Sequence, residues 1–88
     1  MSLTFCFSVQ TRAEPSALPR VLEVFAAMGH VPDRCHGERT SGDELVVDLQ
    51  LAGVSAAEAA RLARRLGRIV GVESVLWSAK RVAGRAGP

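Results

Sequence analysis

From Leu3 to Val9 apolar and polar residues alternate, with Leu3, Phe5, Phe7 and Val9 on one side and Thr4, Cys6 and Ser8 on the other. A period of two is that of a strand with one buried face, so this segment predicts the first strand. The period then changes. Beyond Thr11-Arg12-Ala13-Glu14-Pro15, the residues Leu18, Val21, Leu22, Phe25 and Met28 recur at spacings of three and four, which lays one apolar stripe along a helix that Gly29 stops. Pro15 suits the first turn, where an amide proton would go unpaired anyway, and Pro19 lies early enough to be tolerated.

Val31 to Thr40 is polar and contains Pro32 and Gly37, which predicts an irregular edge strand, followed by a turn at Ser41-Gly42-Asp43. Between Leu45 and Leu51 every odd position is Leu or Val while Asp48 and Gln50 face the other way, the pattern of a central strand with one face in the core. Ser55 and Glu58 have capping-box spacing. The helix they open places Ala59, Leu62, Ala63, Leu66 and Ile69 on one face and Arg61, Arg64, Arg65 and Arg68 largely elsewhere. Gly71 ends it, and Val72 to Ser78 predicts a last strand with Val75 and Trp77 on one face. The order strand, helix, strand, strand, helix, strand predicts an α+β fold of ferredoxin-like βαββαβ type, a four-stranded antiparallel sheet with two helices on one face. A single domain is expected over residues 1–78. Residues 79–88 read as a basic flexible tail, and truncation after Trp77 is expected to leave the fold intact.

Composition narrows the function classes. With 88 residues, 48% hydrophobic and 23% charged, the chain suits one packed domain rather than a disordered segment. Eleven Lys and Arg against nine Asp and Glu leave a net charge of +2, too small a field for a dedicated nucleic-acid binder, so no nucleic-acid partner is expected. Cys6 and Cys35 match neither a disulfide framework nor a zinc pattern, which fits a reducing compartment. Met1-Ser2-Leu3-Thr4 carries no basic leader, and no apolar run approaches the roughly 20 residues that span a bilayer. A soluble cytoplasmic protein without a membrane partner is the expectation.

The phrase Glu14-Pro15-Ser16-Ala17-Leu18-Pro19-Arg20-Val21-Leu22-Glu23-Val24-Phe25, followed by Gly29, resembles the ACT-domain pattern, in which a Pro-Gly-x-Leu loop opens a helix. Leu66 to Val75 resembles that family's closing helix and strand, and the resemblance extends over roughly Leu3 to Trp77. Within the family, the length and the Pro-x-x-Leu-x-Arg-Val-Leu phrase of Pro15 to Leu22 look most like the short regulatory small subunit of acetolactate synthase. The resemblance implies a non-catalytic homodimer without a cofactor that activates a large catalytic subunit in branched-chain amino acid biosynthesis, or else a free-standing amino-acid sensor. It implies an effector site for a small amino acid at Glu14, Pro15, Ser16, Ala17 and Leu18, whose backbone amides at a helix N-terminus would take a carboxylate, with His30, Val31, Pro32 and Asp33 nearby. Three positions depart from the pattern. Ser16 replaces the loop glycine, Val31 an asparagine, and Ala13 a polar residue, which removes close backbone approach and an amide side chain from that site.

Other residues carry weaker signals. Cys35 beside His36, with His30 and Asp33 in the same stretch, hints at a metal or a thiol-imidazole pair. Strand neighbours point to opposite faces, however, and zinc needs about four convergent ligands, so solvated edge residues are the better reading and no metal is expected. Phe5 and Phe7 occupy a strand on which RNA-recognition modules stack bases, yet they share a register with Leu3 and Val9, and Leu45 to Leu51 has no aromatic residue. Core packing is preferred for both. The arginines of the second helix form either a solvated exterior or a surface for an acidic partner, and Trp77 either seals the core or anchors an interface. No nucleophile, base and orienting group converge as an enzyme would require.

Overall fold

The computed structural model describes residues 2–82. Its elements are β1 (Ser2–Arg12), α1 (Ala17–Ala27), β2 (Arg34–Ser41), β3 (Glu44–Ala52), α2 (Ala56–Gly67) and β4 (Val72–Val82). The strands form one sheet in the order β2-β3-β1-β4, and every pairing is antiparallel. This is the ferredoxin-like βαββαβ arrangement. The chemically marked strands β1 and β3 lie in the centre, and β2 and β4 form the edges.

The core sits between the helices and one sheet face. Phe5, Phe7 and Val9 of β1 and Val47, Leu49 and Leu51 of β3 are all buried against Val21 and Phe25 of α1 and Ala59, Leu62, Ala63 and Leu66 of α2. Register makes this face continuous, because Phe7 lies opposite Leu49 on one side and Trp77 on the other. Phe7 meets Phe25 edge-on at 5.8 Å between ring centroids and stacks on Trp77 at 6.4 Å. Trp77 also touches Phe5 at 6.1 Å while keeping 40% of its surface exposed, so it seals the aromatic cluster from the edge strand without being enclosed.

α2 ends at Gly67 with Arg68 as its C-cap, rather than at Gly71 as expected, so Ile69 lies beyond the helix, whereas the end of α1 and the start of α2 follow local chemistry. Gly29 adopts φ +82°, and the Gly29 and His30 amides return to the carbonyls of Ala26 and Phe25, the paired bonds of a Schellman cap that only a residue tolerant of left-handed backbone closes without strain. At α2 the Glu58 amide donates to Ser55 Oγ at 3.1 Å. α1 begins later than its proline suggested, with Ser16 as N-cap and Pro15 in the preceding turn. Pro19 then falls in the first turn, where its missing N–H removes no helical bond. The apolar stripe of α1 is also rotated. Ala17, Val21 and Phe25 form its buried centre, and Leu22 is left at the rim, because α2 occupies the neighbouring space and fixes which arc of α1 meets the sheet.

Two strand limits differ from expectation. β2 is the edge strand expected, with a register irregularity between Arg39 and Ser41, but it starts at Arg34 rather than Val31, because the Val31-Pro32-Asp33 segment precedes it. β4 continues past Ser78 to Val82, pairing Ala79, Lys80 and Arg81 with Phe5, Thr4 and Leu3. Alternation stops at Ser78, but the backbone of β1 remains available there, and backbone bonds need no apolar side chain. Residues 79–82 are therefore strand. The rest of the expected tail, residues 83–88, lies outside the described residues. Truncation after Trp77 removes this pairing but no core side chain, so it should lower the thermal midpoint by roughly 5–10 °C without abolishing cooperative unfolding, a loss that calorimetry would read directly.

Candidate functional site

The loop that carries Glu14 to Leu18 leaves β1 beside the β2–β3 hairpin and the α2–β4 turn. Its backbone is already partly used. Arg12 N donates to the Gly71 carbonyl, Ala13 N to that of Asp43, Glu14 N to that of Arg12, and Ala17 N to that of Glu14. Pro15 has no N–H, so within Glu14–Leu18 only the Ser16 and Leu18 amides are left to supply donors.

The surrounding charge is acidic. Arg12, Glu14, Asp43 and Glu73 line a hollow of about 410 Å³, and the one cation stands 3.8 Å from Glu14 in an exposed pair. Three carboxylates against one guanidinium leave the hollow net negative and oppose the weak positive field of the α1 N-terminus.

His30, Val31, Pro32 and Asp33 lie at the other end of α1, separated from the loop by a helix of eleven residues, about 16 Å long. Within one protomer the fold keeps the two segments apart. His30 and Asp33 also have structural partners. His30 Nε2 is 2.9 Å from Glu58 Oε2, tying the end of α1 to the first turn of α2, and Glu58 further accepts from Arg61 at 3.3 Å. Asp33 Oδ2 accepts from the Ala52 amide and its own amide donates to the Gln50 carbonyl, so it fastens the start of β2 to the end of β3. Val31 is almost fully exposed.

Glu58, Asp43 and Glu73 were not legible as site residues. Glu58 carried only its capping-box spacing, and its carboxylate turns to His30 and Arg61. On the sheet face away from the helices a hydrogen-bonded row crosses all four strands: Ser74 donates to Gln10, Gln10 to Glu44, and Thr40 to Glu44. This row pins the register at the end of the sheet that holds the loop.

The pairing register puts Cys35 opposite Leu49, on the helix side, and His36 opposite Asp48, on the open side. The two side chains point apart and form no dyad. No group of three or more potential metal ligands occurs among the described residues. Partial burial raises the Cys35 pKa, so its thiol should stay protonated through neutral pH. Iodoacetamide labelling of Cys35 is expected to be slow at pH 7 and to accelerate only above the pH at which an ordinary cysteine reacts. Phe5 and Phe7 are enclosed in the core and present no face to a base. No helix among the described residues is long and apolar enough to cross a membrane.

The sequence pattern of the ACT-like domain matches residues 2–83. The chain belongs to that family. No curated protein matches this ACT-like domain. Among solved structures, the ACT domain from the GTP pyrophosphokinase of Chlorobium tepidum superposes with a TM-score of 0.76 at 10% identity, covering 89% of this chain and 100% of that one. The C-terminal domain of the MgtC protein from Mycobacterium tuberculosis gives 0.72 at 17% identity, covering 90% and 88%. An uncharacterized protein from Thermotoga maritima gives 0.73 at 16% identity, covering 92% and 100%. At such identities these likenesses establish the fold of the ACT-like domain.

Proposed function

We propose that this ACT-like domain is a non-catalytic regulatory subunit that pairs with a second copy through β2 and binds and activates a larger metabolic enzyme. The Pro15–Leu22 phrase makes an acetolactate synthase-type enzyme of branched-chain amino acid biosynthesis the first partner to try. One observation carries the reading. β2 presents eight consecutive exposed residues, paired with β3 without interruption from Arg34 to Arg39, and its outer edge is unpaired among the described residues in the order β2-β3-β1-β4. Such an edge is a template for another strand; it contains no proline, and its irregularity falls only at the end, between Arg39 and Ser41.

Pairing has a consequence for the effector. A two-fold axis normal to the sheet beside β2 turns the second copy end for end, so the Glu14–Leu18 loop of one copy and the His30–Asp33 turn of the other come to the same end of the joined sheet. The two halves separated within one protomer would then face each other across the interface. The acidic loop suits the ammonium group of an amino acid effector there.

Light scattering over a range of concentrations, together with thermal midpoints in millimolar valine, leucine or isoleucine, tests this. A dimer is expected. An effector held only by the folded dimer at about a hundred times its dissociation constant contributes about 2.7 kcal/mol, a rise of roughly 10 °C or more. Activation of a purified acetolactate synthase catalytic subunit without any amino-acid shift would favour a scaffold that acts by contact. A midpoint shift without activation would favour the free-standing sensor. A monomer that neither shifts nor activates would refute both.

A further inference from the structure

The helix layer carries the charge asymmetry of the molecule. α1, α2 and the C-cap Arg68 hold five arginines, Arg20, Arg61, Arg64, Arg65 and Arg68, against two acids, Glu23 and Glu58, while the whole chain has a net charge of only +2. Arg61, Arg64, Arg65 and Arg68 fall at spacings of three and four, so they run along one side of α2 for about 10 Å. Glu58 holds Arg61 at 3.3 Å, whereas Arg64, Arg65 and Arg68 have no carboxylate within ion-pair distance among the described residues. Like charges at these spacings oppose the helix, and the helix dipole offsets this only in the last turn.

Next to the stripe, α1 and α2 leave a shallow groove of about 400 Å³. Val24, Ala27, Ile69 and Val70 supply its apolar lining, and Arg20 and Arg65 line it together with a single acid, Glu23. Val70 is 80% exposed, an apolar side chain held in water beside a row of guanidiniums. All five cations are arginine, the residue whose planar fork pairs with carboxylates bidentately and gives up its water most easily at interfaces.

We infer that the α1–α2 face is the docking surface for an acidic amphipathic helix of the larger partner, with its apolar row in the groove and its carboxylates, two turns of them, on Arg64, Arg65 and Arg68. Charge complementarity selects this occupant, since the surface offers cations in a helical repeat beside an apolar furrow. The inference rests on the reading that the chain serves a larger partner, but not on pairing through β2. α2 packs over β4 and β1, away from the β2 edge, so its arginine row stays open in that dimer.

Fluorescence anisotropy with the full chain and a labelled model peptide of about 18 residues, long enough to hold a helix, provides the test. The peptide carries Leu on one face and Glu beside it, and a second version carries Gln for Glu. The Glu peptide is expected to bind, with affinity about tenfold weaker for the Gln peptide and for the Arg64→Glu/Arg65→Glu chain, and with recovery when that chain meets a Lys version. Val70→Asp should weaken the Glu peptide as well. Thermal unfolding checks the variants, and Arg68→Gln, at the C-cap beyond the last helical residue, repeats the test should the double variant not fold. Absent binding, equal binding of the Glu and Gln peptides, or tighter binding of polyadenylate RNA or phosphatidylserine vesicles would overturn the assignment. So would a charge variant with altered oligomeric mass, because the face would then serve self-association, whereas an unaltered chain that is monomeric yet binds the Glu peptide would count against β2 pairing alone.

Discussion

Phe7→Ala is expected to lower the thermal midpoint by more than roughly 15 °C, or to remove the cooperative transition altogether. Phe7 is only 1% exposed and occupies the middle of the central strand β1, with Phe25 edge-on, Trp77 stacked and Leu49 opposite. Its loss opens a cavity that α1, the sheet and the edge strand line together, and no single element can move to fill it. Truncations of this kind cost about 3–5 kcal/mol, and the whole stability of a small domain is about 5–15 kcal/mol. Leu22→Ala is the control. Leu22 belongs to the apolar stripe of α1 that holds Phe25 but lies at the rim, so its truncation should cost about 0.5 kcal/mol. Circular-dichroism melts of the two variants check the contrast, and similar midpoints would mean that the core is not centred on the aromatic cluster.

The second large effect concerns β2. Neighbouring residues of an antiparallel strand turn their N–H groups to opposite sides, so of Gly37→Pro and Glu38→Pro one removes an inward donor to β3 and the other an outward donor on the free edge. The outward variant is expected to convert a dimer into a monomer in light scattering with little change in the monomer's own unfolding. The inward variant should instead cost about 3 kcal/mol or more, lowering the midpoint by roughly 10 °C or more. Two variants that both leave the dimer intact would place the interface elsewhere. The open sheet face, with Leu76 exposed on it, would then be the next surface to alter.

These two results depend on different parts of what the chain spells out. The cooperative core was legible. Leu3 to Val9 and Leu45 to Leu51 alternate strictly, and a period of two with one apolar face leaves a single way to bury that face. α2 was legible in its cap and stripe, and the structure buries Ala59, Leu62, Ala63 and Leu66 as the spacing requires, but it ends at Gly67 and leaves Ile69 beyond the helix. The βαββαβ order followed from these elements. The ACT-like family was legible as well, in the Glu14–Phe25 phrase and the Leu66–Val75 ending.

The candidate site was less legible. Glu14–Leu18 and His30–Asp33 flank the same helix in sequence and read as neighbours, yet a helix of eleven residues holds its two ends apart. The Glu58 partner of His30, and the meeting of Asp43 and Glu73 with Glu14, join residues from distant parts of the chain, and no local pattern encodes such a contact.

Local periodicity and capping chemistry thus determined, from the sequence alone, which segments are strands and helices and which of their faces are apolar, because these depend on residues a few positions apart. Tertiary structure alone decided the rest. The rotation of α1 that leaves Leu22 at the rim depends on where α2 sits, and the extension of β4 to Val82 depends on unpaired backbone of β1 rather than on any side chain. The same holds for Arg64, Arg65 and Arg68, which have no ion-pair partner among the described residues, since a charge is unpaired only with respect to everything else the folded chain brings near it.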